Sequence, residues 1–303
     1  METSDLDIVQ LNQRFGIPGQ AVFREGPGGL PVLSVTHARG KLELTPYGGH
    51  VLSYQPSGQA PVLFLSRASS YVPGKPIRGG IPVCWPWFGP NTDDPALPAH
   101  GFARLMFWNV EAVDVNANAA EIRLVLRDDA RTRKYWPHAF ELKLRVVLGT
   151  HLQIELTTRN TGSQPFVLTQ ALHTYFSVGD VRRIAIEGLE QTSYFDSLTR
   201  LGVAPAGAAI SFSAETDRVY TDTTADCLIR DAVLNRQIRV AKRGSRSTVV
   251  WNPWIEKAKR MPDFGDDEYP SMVCIEATNA RDDAITLPPG HTHTLAQILS
   301  AGV

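Results

Sequence analysis

The sequence predicts an all-β protein, a large antiparallel β-sandwich. Three observations lead there. Short stretches of alternating polar and apolar residues recur from about residue 21 to residue 299, clusters of Gly, Asn, Asp and Pro separate them at close intervals, and helical periodicity is nearly missing. The chain has 303 residues with a formal net charge of −1, 43% of them hydrophobic and 20% charged, a composition that supports a sizeable core. With no Gly/Ser linker, low-complexity tract or internal repeat, one domain over residues 1–303 is the simplest organisation.

Residues 5–17 read as a short amphipathic helix, with Asp5 as N-cap and Leu6, Ile8, Val9, Leu11 and Phe15 as an apolar stripe. Strands follow at 21–24 and 31–35, on either side of the turn cluster Gly26-Pro27-Gly28-Gly29, then at 41–44, 51–54 and 62–65. Beyond a long loop the alternation is more regular, at 107–113, 121–127, 140–148 and 152–159. After a turn at 160–163, residues 166–175 read as one further strand. The series continues at 184–187, 209–212, 218–221, 227–230, 237–241, 248–251 and 272–277, and ends with 285–287 and 295–299 around the turn Pro288-Pro289-Gly290. The charged runs 257–260 and 263–268 read as a solvated loop.

The loop at residues 75–104 departs from both periodicities. Its six prolines, from Pro76 to Pro98, block helix continuation and ladder donation. Its apolar content (Ile77, Ile81, Val83, Trp85, Trp87, Phe88) argues for an ordered, packed loop rather than a disordered one. Arg78 stands before Gly79-Gly80, and Arg104 follows His100-Gly101, where glycine permits close backbone approach or unusual dihedrals. Two arginines directed into one pocket suit a multidentate anion such as phosphate. The competing reading for each is a solvated charge or half of a structural ion pair.

Among eight histidines, His173 is distinctive because it lies in an otherwise apolar or small stretch, with Tyr175 on the same face. It reads either as a core histidine satisfied by a carbonyl or as a proton carrier whose charged form is disfavoured by burial. Glu276, inside Met272-Val273-Cys274-Ile275-Glu276-Ala277-Thr278-Asn279, is too deep in an apolar run for a casual surface acid. It reads as a structural carboxylate or as a general base with a raised pKa. Asp217 on its own reads as a turn residue paired with Arg218, and Asp196 is a lesser acid candidate. His291 and His293 form an H-x-H pair without a nearby acid or thiol, a weak metal signal.

Arg78-Gly79-Gly80-Ile81-Pro82, Trp85-Pro86-Trp87-Phe88-Gly89 and His100-Gly101-Phe102-Ala103-Arg104 resemble the hexose-6-phosphate mutarotases, also called glucose-6-phosphate 1-epimerases, of the galactose mutarotase-like (aldose 1-epimerase) superfamily. The resemblance runs from about Ala38 to the C-terminus. It implies the β-supersandwich of that superfamily and an isomerase that interconverts the α and β anomers of hexose 6-phosphates. It also implies His173, in its Leu-His-x-Tyr-Phe setting, as general acid and Glu276, in Ile-Glu-Ala-Thr-Asn, as general base. By the same resemblance Asp217, in Asp-Arg-Val-Tyr, and His100 bind the sugar, and Arg78 and Arg104 bind the 6-phosphate. Ala99 stands where some relatives place glutamine, which removes one amide contact to the sugar. No metal or other cofactor is implied, because mutarotation moves protons and no electrons.

The remaining expectations follow from composition. The near-neutral charge argues against a nucleic-acid partner. Three cysteines form no disulfide framework and suit a reducing compartment. No stretch reaches the apolar length of a membrane span, and the acidic start is unlike a signal peptide. A cytoplasmic protein is the expectation from composition; the resemblance implies a small sugar phosphate as its partner, and a monomer or weak dimer is expected. The alternatives are a non-catalytic carbohydrate-binding sandwich that senses sugar phosphates, and a lyase or glycosidase on a related sandwich. A glycosidase would need two converging carboxylates.

Overall fold

The computed structural model describes residues 7–302, and among them places twenty-two strands and two α-helices. Every strand pairing is antiparallel. One eight-stranded sheet runs from Leu201–Val203 through Tyr194–Asp196, Thr216–Tyr220, Ser247–Asn252, Met272–Asn279 and Gln170–Leu172 to Val83–Cys84, with Tyr175–Ser177 also paired to Met272–Asn279. The other runs Ile184–Glu187, Cys227–Asp231, Arg236–Arg243, Thr292–Gly302, Leu152–Asn160, Phe140–Leu148, Ala120–Arg127, Asn109–Val115. A four-stranded N-terminal sheet (Ala21–Glu25, Pro31–His37, Gly40–Thr45, His50–Pro56) and the pair Phe166–Leu168 with Ile285–Leu287 complete the set.

Alternation explains how these sheets pack. In Phe140–Leu148 and Leu152–Asn160 every second residue is buried, so each strand turns one face to the core and the other to water. A continuous apolar cluster joins Val35 of the small sheet, Leu144 and Ile154 of one large sheet and Ile275 of the other. Polar bridges cross the same layer. The Trp85 indole donates to Thr158 Oγ1 at 3.0 Å, and the Gln297 amide donates to the Ile275 carbonyl at 3.0 Å.

Most of the expected strands are found, and the short strands Val83–Cys84, Tyr194–Asp196 and Leu201–Val203 add to them without having been expected. The expected strand 166–175 is three short strands, with gaps at Thr169 and at His173-Thr174. Residues 62–65 and 209–212 form no strand and contribute single bridges only, Leu63 to Phe176, Leu65 to Gly79 and Ile186 to Ile210. The charged run at 257–260 is no loop: it ends the helix Trp254–Arg260. Asn252 Oδ1 accepts the Trp254 N–H at 2.9 Å to start that helix, and Lys257, Lys259 and Arg260 at its C-terminal end suit the helix dipole. The N-terminal helix is Ile8–Phe15, capped by Asp7, whose carboxylate accepts from the Val9 N–H. The expected cap Asp5 and stripe residue Leu6 lie outside the described residues.

Candidate active site

Glu276 sits on the strand Met272–Asn279, all eight residues of which are buried. Val273, Ile275 and Ala277 enter the main core, so Met272, Cys274 and Glu276 take the opposite face. His173 occupies the gap between Gln170–Leu172 and Tyr175–Ser177. There the ladder is replaced by the proline-rich loop: the His173 N–H donates to the Pro82 carbonyl and the Tyr175 N–H to the Gly80 carbonyl, each at 3.0 Å. The imidazole stacks on Tyr175, with ring centroids 4.9 Å apart and planes 10° from parallel, so the shared face expected from sequence is found even though the strand is broken.

His173 Nδ1 and Glu276 Oε1 lie 3.4 Å apart, both side chains buried. Among the described residues, neither carboxylate oxygen nor Nδ1 has a hydrogen-bond partner. Groups this deep without partners are costly, and the cost falls on whichever form is charged. Burial, reinforced by the nearby Asp217 charge and opposed by Arg104, pushes the Glu276 carboxyl well above its usual range. Burial, with the cationic or proton-carrying neighbours His100, Arg78 and Arg104, holds the His173 imidazolium well below its usual range. The pair therefore carries one proton and no net charge across a wide range of pH.

A cleft of about 260 Å³ opens over this pair, lined by Arg78, Phe88, His100, His173, Asp217, Val249, Trp251, Lys257, Met261 and Glu276. The loop residues arrive by backbone geometry that few residues other than glycine tolerate. Gly80 has φ +61°, and a Cβ there would stand 2.2 Å from the Val51 carbonyl oxygen; Gly101 has φ +73°, and a Cβ would stand 1.9 Å from the Trp85 oxygen. His100 itself holds φ +63°. Its Nδ1 accepts the Gly89 N–H at 3.3 Å, so Nε2 carries the proton of the neutral ring. Burial, then the charges of Arg104, Arg78 and Lys257, push its pKa down to about 3, and the neutral donor is the form the cleft sees.

The structure thus brings five of the six expected residues together. Arg104 stands apart: its guanidinium donates to the Ala99 carbonyl at 2.8 Å and is absent from the lining, though its charge acts on His100, His173 and Glu276. Arg78 lines the cleft with its charge partly met, by Asp263 Oδ2 at 3.1 Å and the Tyr175 hydroxyl at 2.9 Å. Sequence reasoning missed Lys257, which reaches Glu215 at 3.2 Å and Asp217 at 3.9 Å, and Trp251 beneath it. The aromatic pair Trp85 and Trp87 is core and loop support, and only Phe88 of that run lines the cleft. Asp196 accepts from the N–H groups of Leu198 and Thr199 in its own turn. A larger hollow of about 350 Å³ beside Arg236 has no comparable pair, since Asp231 is taken by three backbone N–H groups and Arg236 by carbonyls.

A cleft near the lower end of small-molecule sites, which run from about 300 to 1,000 Å³, takes one sugar ring rather than a polymer. Able to give and take one proton at that ring, it fits the mutarotase class of isomerases. Residues 31–300 match the aldose 1-epimerase family, and the chain belongs to that family. A relative in Cenchrus ciliaris, provisionally named glucose-6-phosphate 1-epimerase, is 41% identical over 275 residues, which cover 87% of this chain and 82% of that one. One in Salmonella typhimurium with the same provisional name is 38% identical over 253 residues, 83% of this chain and 84% of that one. The crystal structure of a protein from Salmonella typhimurium, provisionally named a mutarotase, superposes with a TM-score of 0.88 at 33% identity, covering 97% of this chain and 99% of that one. Among the described residues no helix is long and apolar enough to cross a membrane.

Proposed function

We propose that this isomerase interconverts the α and β anomers of D-glucose 6-phosphate and related hexose 6-phosphates, with Glu276 as general base and His173 as general acid. The observation that carries the reading is the buried His173–Glu276 pair at 3.4 Å, otherwise unpartnered and open to the cleft. Before sugar binds, burial keeps the shared proton on Glu276; as the sugar phosphate enters, that proton passes across the 3.4 Å gap to His173 and leaves Glu276 as the carboxylate. Glu276 takes the proton from the anomeric hydroxyl while His173 gives its proton to the ring oxygen as the C1–O5 bond breaks. The aldehyde turns about C1–C2, and reclosure reverses both transfers. No electrons move, and proton transfer contributes about 10²–10⁴-fold. His100 Nε2–H donates to a sugar oxygen, and Asp217 accepts from a hydroxyl. Arg78 and Lys257, both in the cleft lining, meet the 6-phosphate, while Arg104 adds positive potential from outside the lining.

The names of the relatives support the phosphate-bearing substrate. The three free, buried cysteines support a reducing, cytoplasmic setting, and the reading is of a monomer or weak dimer. The test is anomer exchange of glucose 6-phosphate followed by exchange NMR, with free glucose beside it. Acceleration should favour the phosphorylated sugar and fall about 10²–10⁴-fold in Glu276→Gln. Tight binding of the sugar phosphate without acceleration would instead make the protein a sugar-phosphate sensor.

A further inference from the structure

We propose that His173, Cys274 and Glu276 form a binding site for a thiophilic divalent cation, zinc or cadmium, whose occupation shuts down the proton-transfer pair. Donor atoms of the three residues lie within 4.8 Å of one another, and all three side chains are buried. The juxtaposition comes from the strand, because Cys274 and Glu276 are two residues apart on one face and His173 stacks on Tyr175, the cross-strand partner of Cys274. Both Glu276 oxygens and His173 Nδ1 are buried without a hydrogen-bond partner among the described residues, so donors that a cation would satisfy are already gathered.

The geometry and the donor types agree on the kind of ion. Bonds of about 2.0–2.3 Å in a tetrahedral zinc site put neighbouring donors roughly 3.3–3.8 Å apart. The His173–Glu276 separation of 3.4 Å is within that span, and the thiol needs an inward swing of at most about an ångström, a side-chain adjustment. One sulfur, one imidazole and one carboxylate favour zinc or cadmium over magnesium or calcium, which want oxygen. On binding, the Cys274 thiol and the Glu276 carboxyl give their protons to solvent. Thiolate and carboxylate then balance the two positive charges, and the fourth position faces the cleft. The ion takes no part in isomerisation: it occupies the base and the acid together and competes with sugar. The site stands on its own geometry, and only its inhibitory effect rests on the mutarotase reading.

Cadmium titration of the whole protein, read by ultraviolet thiolate-to-cadmium absorption without sugar, should give a band that saturates at one equivalent. Cys274→Ser should abolish it while Cys84 and Cys227 remain. Zinc should inhibit wild-type exchange of glucose 6-phosphate, with a chelator restoring it. Cys274→Ser should keep the uninhibited rate yet need about 100-fold more zinc, since changes even one shell farther out cost metal sites about 10–100-fold. Should serine fail to fold, Cys274→Ala replaces it in both measurements. No band at saturating cadmium, a band that survives in the variant, or zinc inhibition undiminished by it would overturn the proposal. Should exchange be absent from every sample, the mutarotase reading falls and the cadmium band alone decides the site.

Discussion

In the proposed mechanism two residues, His173 and Glu276, set the chemistry, and their burial fixes how activity should respond to pH. Adding a second proton to the His173–Glu276 pair is opposed first by burial and then by His100, Arg78 and Arg104, so the acid limb of kcat/KM lies below the ordinary histidine value of 6.5. Removing the last proton is opposed by burial and Asp217, so the alkaline limb lies above the ordinary carboxyl value of 4.5. A pH profile of enzyme-accelerated exchange should show a broad plateau between the two, and an acid limb at 6.5 or higher would contradict this account. Lys257 carries a second expectation. Lys257→Met should raise KM for glucose 6-phosphate several-fold more than for free glucose, and equal changes for both sugars would remove Lys257 from the phosphate's surroundings. Of these residues, His173 and Glu276 were legible in the sequence because a polar side chain inside an apolar stretch needs a reason. Lys257 was not, because a lysine in a charged run has no local mark, and only the helix that folds back over the sheet brings it to the cleft. Arg104 looked equivalent to Arg78 by its glycine context, yet its short span back to Ala99 decides where its guanidinium ends up.

Strands were legible as elements wherever one face is wet, since alternation then records the fold directly. Around the site that signal fails. Residues 166–175 keep an apolar pattern although their backbone breaks twice, because the loop at 80–86 supplies the hydrogen bonds a neighbouring strand would have supplied. The helix Trp254–Arg260 is seven residues long, too short to display a helical period. The loop's glycines, by contrast, announced the close approaches that were found, and one of them can be tested against a glycine just outside the loop. Gly101 and Gly74 both have positive φ, +73° and +88°, but a Cβ at Gly101 would strike the Trp85 backbone while one at Gly74 would meet nothing within 4 Å. Gly74→Ala should cost about 1–2 kcal/mol, the price of φ alone for an ordinary residue. Gly101→Ala should cost clearly more and, by displacing the adjacent His100, should slow exchange as well. Equal melting temperatures and equal rates for the two variants would mean that the loop yields without moving the site.

At the scale of the whole molecule the site is a local weakness within a sandwich held by its core. A carboxyl with no hydrogen-bond partner among the described residues, buried on a central strand, costs the fold far less with its proton than without it. Because the folded-state pKa of Glu276 is raised, its contribution to stability is fully present below about pH 4.5, the unfolded value, and drains away as pH climbs toward the folded value. His173, with a depressed pKa, acts in the other direction, withholding stability as pH falls below 6.5. Glu276→Gln removes the first effect and leaves the second. The variant should therefore be inactive yet more stable than the wild type at neutral pH, with an advantage that shrinks toward pH 4.5. Between those limits the difference grows by at most about 1.4 kcal/mol per pH unit, the free energy of one proton per unit. Thermal melting of both proteins from acid to alkaline pH measures it directly. Parallel curves would mean that Glu276 titrates normally in the fold and that the strand does not hold a strained base.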